Sequence, residues 1–256
     1  MILRRLAAAF RRQDWFTVFV ETMIVVLGVF LGLQVQQWSN QRADKSREMQ
    51  IVADMLADLE IDRTQYGNAM ALGAQRVAAA RISLEKAGLP SISFDYDLPN
   101  SDIVDYDTDI LDLAGQAELE TKNLWTSVVV GYFPTPSTST YDAIVGSGEI
   151  SIIRDRSLVK AIQVYRNLTE SVASQNDKLI SIRADAMRVG ARHGLAPYLP
   201  VRPDDYFQLV SGDPELAATI RILATFSIFH FGDIESADRR AQALQSQLED
   251  YLEAAK

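Results

Sequence analysis

Residues 15–38 read WFTVFVETMIVVLGVFLGLQVQQW, and how that stretch is read decides the fold. Between Phe16 and Val35 the polar residues are Thr17, Glu21, Thr22 and Gln34. As a helix these 24 residues extend about 36 Å, enough to cross a hydrocarbon core of about 30 Å. Trp15 and Trp38 stand at the two ends, where indole rings favour the membrane interface. A buried core helix would need apolar partners on all sides, and it has no use for the Trp brackets. A signal peptide would have a shorter apolar region and a small-x-small cleavage site, but the exit reads Gln34-Val35-Gln36-Gln37-Trp38. The stretch is therefore predicted to be one transmembrane helix, retained as an anchor.

Working outward, Arg4, Arg5, Arg11 and Arg12 precede the span, against Arg42, Lys45 and Arg47 after it. The positive-inside rule puts the N-terminus in the cytoplasm of a bacterial inner membrane and the body in the periplasm. Residues 1–14 form a basic segment whose Ile2, Leu3, Leu6 and Phe10 suit a short interfacial helix. Residues 1–38 carry a net charge of +2, which leaves −11 for the acidic body 39–256. Inside the span Gly28 and Gly32 make a G-x-x-x-G that lets two helix backbones approach. Glu21 is an intramembrane carboxyl, costly there without a polar partner such as a Thr17 or Thr22 on a neighbouring helix.

The body reads as long helices. From Asn40 to Ala87 there is no Pro, and Val52, Leu56, Leu59, Tyr66, Met70, Gly73, Val77, Ala80 and Leu84 recur at alternating steps of four and three, interrupted by Arg63. Gly88 and Pro90 stop this helix. Residues 91–113 hold seven aspartates and no Lys or Arg, which predicts an acidic solvated loop in preference to a calcium site, because the EF-hand spacing is missing. A helix is expected over Ala114–Val130, a short one over Thr140–Val145, and an extended piece at Ile150, Ile152 and Ile153. Asp155 caps a helix running to about Val189, stopped by Gly190 and Gly194. Pro197, Pro200 and Pro203 mark a loop, and Asp213-Pro214-Glu215 starts a last helix whose seam runs from Ile220 through Ser227 and His230 to Tyr251. The prediction is an all-α chain: one N-terminal transmembrane helix, then an elongated antiparallel helical bundle.

Composition narrows function. The chain has 256 residues, no Cys and a net charge of −9, which excludes thiol chemistry, zinc knuckles and a nucleic-acid partner. No H-E-x-x-H, phosphate loop, G-x-S-x-G or dinucleotide fingerprint is present. His193 is expected at a helix end, bonded to terminal carbonyls, and His230 packed in its seam. Carboxylate pairs such as Asp58 and Asp62 are expected on solvated faces. No catalytic, cofactor or metal residues are expected, and the chain does not read as an enzyme.

The span and one later stretch resemble a family of uncharacterised bacterial single-span membrane proteins with a G-E-x-x-L-V-x-x-G-x-x-x-A-L-Q-x-x-x-W signature. Glu21, Val25, Gly28, Gly32, Leu33, Gln34 and Trp38 match it, with Val20 in place of Gly and Gly32 in place of Ala. Tyr141, Val145, Ser147, Gly148, Ile150, Ile152, Ile153, Asp155 and Leu158 resemble its second pattern, Y-x-x-L-x-x-S-G-x-L-x-L-I-x-(N/D)-x-x-L. The resemblance implies topology and carries no activity. The leading expectation is a non-catalytic assembly protein, self-associating or an accessory subunit of a larger inner-membrane complex. The alternative is an extracytoplasmic ligand sensor, with Tyr66, Trp125, Tyr165 and Phe226 lining its pocket.

Overall fold

The computed structural model describes residues 15–92, 110, 114 and 119–254, with side chains from residue 19 onward. The basic segment 1–14, the side chain of Trp15 and most of the acidic stretch 91–113 lie outside the described residues. The described elements are helices: α1 Trp15–Lys86, α2 Leu124–Val129, α3 Ser139–Gly146, α4 Arg156–Arg192, α5 Pro203–Gly212 and α6 Pro214–Ala254, with 3-10 turns at Thr121–Asn123 and Glu149–Ile152. Among the described residues the regular structure is all helical, as the hydrophobic periods predict.

α1 runs unbroken for 72 residues because no Pro interrupts it before Pro90. It ends where Gly88 takes φ +72° and the Leu89 N–H returns to the Leu84 carbonyl at 2.9 Å. Among the described residues two helices are long and apolar enough to cross a membrane. The apolar window of α1 is wholly exposed, whereas that of α6 is 61% buried.

Contacts divide the chain after Gln50. In the unit from Ile51 onward, α1, α4 and α6 share the core. Ile51 to Ala69 pack with Leu158 to Val172 and Ile234 to Leu248. Ala79 to Leu84 pack with Leu179 to Val189 and Leu216 to Ala224. Residue numbers therefore rise together in α1 and α4 and fall in α6. The predicted seams are buried apart from the half-buried Leu56, Met70 and Tyr251, and α1 carries a second buried line beside its first: Met55, Asp62, Ala69, Arg76 and Ser83, seven residues apart. Asp62 is fully buried, so the expectation of a solvated Asp58/Asp62 face is corrected for Asp62.

Shorter elements differ from expectation for local reasons. The helix expected over Ala114–Val130 is broken: Leu119 and Glu120 are not helical, and α2 follows a 3-10 turn only from Leu124. The piece expected to be extended is a 3-10 turn over Glu149–Ile152, entered through Gly148 at φ +77°. Gly190 does not stop α4, which continues to Arg192; it makes room for Trp125, whose Cζ2 would lie 2.1 Å from an added Cβ. Pro203 is the first residue of α5 and not part of a loop, since its fixed φ and the acidic Asp204 and Asp205 suit a first turn.

Candidate functional site

Three buried polar residues of the body, Asp62, Arg76 and Asn176, converge on one irregular segment, residues 130–138, between α2 and α3. Non-repetitive backbone cannot satisfy its own N–H and C=O groups, so where this half-buried segment meets the helices side chains do it. α4 supplies Asn176, whose Nδ2 donates to the Pro134 carbonyl at 2.6 Å, and Arg183, whose Nε donates to the carbonyl of Val129, the last residue of α2, at 2.5 Å. From α1, Arg76 Nη2 donates to the Val130 carbonyl at 3.3 Å. Gln65 Oε1 accepts from the Thr135 N–H at 2.8 Å and Asp62 Oδ1 from that of Ser137 at 2.6 Å. Pro134 and Pro136 bring no N–H to satisfy and hold their neighbours extended. Gly131 lets the segment close on Arg76, whose Nη2 an added Cβ would overlap at 1.6 Å.

Asp62 also accepts from Tyr165 Oη at 2.6 Å. With that proton committed, the 3.1 Å contact between the two phenols has Tyr66 donating to Tyr165. Burial raises the Asp62 carboxyl above its usual range, against the hydrogen bonds from Tyr165 and Ser137, and raises both phenols. The adjoining cavity, lined by Asp58, Asp62, Ser137, Thr140, Tyr165 and Arg166 among others, holds about 30 Å³. That is room for water and not for a metabolite. An open groove of about 490 Å³ lies between the segment and α4, walled by Phe133, Pro134, Pro136, Ala173 and Ile180.

Arg76, 2% exposed, is the largest fully buried side chain. Its Nη1 donates to Ser227 Oγ at 3.0 Å, its Nε has no partner among the described residues, and its guanidinium and that of Arg183 each lie 6.0 Å from the Phe133 ring. Burial, with Arg183 nearby, lowers its pKa to about 10. His230 contacts Phe133 edge-on and holds Asn176 Oδ1 at 2.7 Å from Nε2. Because Asn176 donates to Pro134, its Oδ1 accepts here and His230 Nε2 carries the proton. Burial lowers the His230 pKa to about 3, so the ring is neutral. Asp233, one turn on, accepts from Ser171 at 3.4 Å through Oδ1, while buried Oδ2 has no partner among the described residues; burial raises its pKa to about 6.

The residues predicted in the span behave differently. Glu21, Gly28 and Gly32 fall within about 40° of one another around α1. All three are exposed, and a Cβ added at either glycine meets nothing within 4 Å. Trp38 is 63% exposed, with the Arg42 guanidinium 5.7 Å from its ring. Of the aromatics expected in one pocket, Tyr66 and Tyr165 meet, whereas Trp125 belongs to another core cluster and Phe226 pairs with Phe229. His193 does not bond terminal carbonyls through its ring. Its Nε2 lies 2.9 Å from Asp213 Oδ2, joining the end of α4 to the start of α6.

Sequence reasoning missed Arg76, Asn176 and Asp233, which interrupt apolar stripes and so read as surface. Among the described residues no group of three or more His, Asp or Glu side chains is placed to hold a metal ion. Comparison with family models, with curated proteins and with solved structures gives no match to this chain.

Proposed function

We propose that this chain is a non-catalytic, membrane-anchored assembly protein. α1 crosses a bacterial inner membrane once between Trp15 and Trp38, N-terminus in the cytoplasm. The body from residue 39 is a periplasmic helical bundle in which α6 runs against α1 and α4. The protein associates with itself or serves as an accessory subunit of a larger membrane complex. The observation that carries this reading is the exposure of every large apolar side chain from Phe19 to Trp38 on a helix that also presents Glu21, Gly28 and Gly32. α6 passes the same length and hydropathy test, but its window is mostly buried and it buries Ser227, His230, Asp233 and Ser236 among core residues, which suits a soluble core helix.

The buried polar groups support a structural body, since each one named above engages residues 130–138 or a neighbouring helix. Native mass analysis of the full-length protein, taken from its own membranes in mild detergent, should give a mass above the 28.5 kDa of one chain. A clean monomer would count heavily against assembly.

A second reading, an extracytoplasmic ligand sensor acting through a membrane partner, draws support from the groove beside residues 130–138, whose volume is in the range of small-molecule sites. A thermal-shift screen of metabolites and ions that raised no unfolding midpoint would remove it.

A further inference from the structure

Glu21 is the one ionisable side chain between Phe19 and Gln41, and no Lys or Arg occurs in that stretch. It lies about 9 Å along the helix from Trp15, inside the apolar run. Its neighbours Phe19, Ile24 and Val25 are exposed, and Glu21 finds no hydrogen bond or ion pair among the described residues. A carboxyl in that setting is costly unless something polar meets it. A parallel second copy would bring another carboxyl to the same depth, with Thr17 and Thr22 as hydroxyl partners but no cation to balance two carboxylates.

Charge complementarity therefore points away from self-pairing. We propose that the Glu21 face of α1 docks a transmembrane helix of a different protein, one that carries a Lys or Arg side chain at the depth of Glu21. This rests on the membrane-anchored reading above and chooses the accessory-subunit form of it. Gly28 and Gly32, about two and three turns deeper beside the same line, let that helix come close.

The test uses the full-length protein in phosphatidylcholine vesicles and a synthetic oligo-Leu transmembrane peptide with one Lys six residues inside its terminal Trp, followed by energy transfer. The Lys peptide should associate about tenfold more tightly than its all-Leu counterpart. Glu21→Gln should abolish that preference, and Glu21→Asp should keep it. Equal association of the two peptides, or a preference that survives Glu21→Gln, would overturn the proposal. So would loss of the preference in phosphatidylethanolamine vesicles, since a headgroup ammonium would then satisfy Glu21. Native mass analysis separates the two claims. An assembled protein with no Lys preference loses this inference and keeps the assembly reading; a monomer that binds the Lys peptide keeps this inference and loses that one.

Discussion

Asp233 and His230 sit three residues apart on α6, both buried, and burial acts on them in opposite senses. Asp233 ionises near 6 in the fold against 3.8 for an ordinary aspartate, so the fold is favoured as the pH drops from about 6 toward 4. His230 binds its proton only near 3 in the fold against 6.5 in the unfolded chain, so the fold is disfavoured as the pH drops below 6.5. The two effects largely offset between pH 6 and 4. Urea unfolding at pH 7 and pH 5 should uncover each alone. Asp233→Asn should become less stable on acidification than the parent does, by on the order of 1–2 kcal/mol, and His230→Gln should shift by a similar amount the other way. Matching pH profiles for all three proteins would show that neither group titrates as described. At Gly190 the constraint is steric. Gly190→Ala drives a methyl into Trp125, and thermal unfolding should show a loss of about 1–3 kcal/mol from overpacking.

At the scale of elements, residues 130–138 are held by what α1 and α4 lend them. Asn176→Ala frees the Pro134 carbonyl and leaves the His230 N–H without its acceptor. It should cost about 1–3 kcal/mol. Hydrogen exchange should quicken first at Thr135 and Ser137, with the N–H groups inside α6 unchanged; uniform quickening would mean the segment is not held as a unit. The long helices were legible because Val52, Leu59, Tyr66 and Val77 on α1, and Ile234, Leu244 and Leu248 on α6, keep a helical period whatever packs on them. The second line of α1 was not. Asp62, Arg76 and Ser83 are buried for the sake of partners far away in sequence, and a pattern of apolar residues along one helix cannot register a Ser137 N–H or a Val130 carbonyl. Gly190 misled for a related reason. A glycine reads as a stop, yet here it is a contact with an indole from another element. The predicted span residues are a different case: Glu21, Gly28 and Gly32 share one exposed side of α1, and a partner on that side is what the proposed function adds.

Across the whole molecule, the proposed function assigns anchoring to the long apolar stretch of α1 and support to the hydrogen-bonded body. Association through the span is the claim on which the proposed function depends. Its most direct test replaces Gly28 and Gly32 together by Leu and compares the native mass of the full-length protein, taken from its own membranes in mild detergent, with that of the parent. Insertion should survive, because Leu is at least as favourable in lipid as Gly. The body's helicity by circular dichroism should not change. The parent should hold its partner, and the double variant should release it, with association weakened by on the order of 1–2 kcal/mol, about tenfold per 1.4 kcal/mol. A double variant that keeps the parent's mass would contradict association through this face of α1.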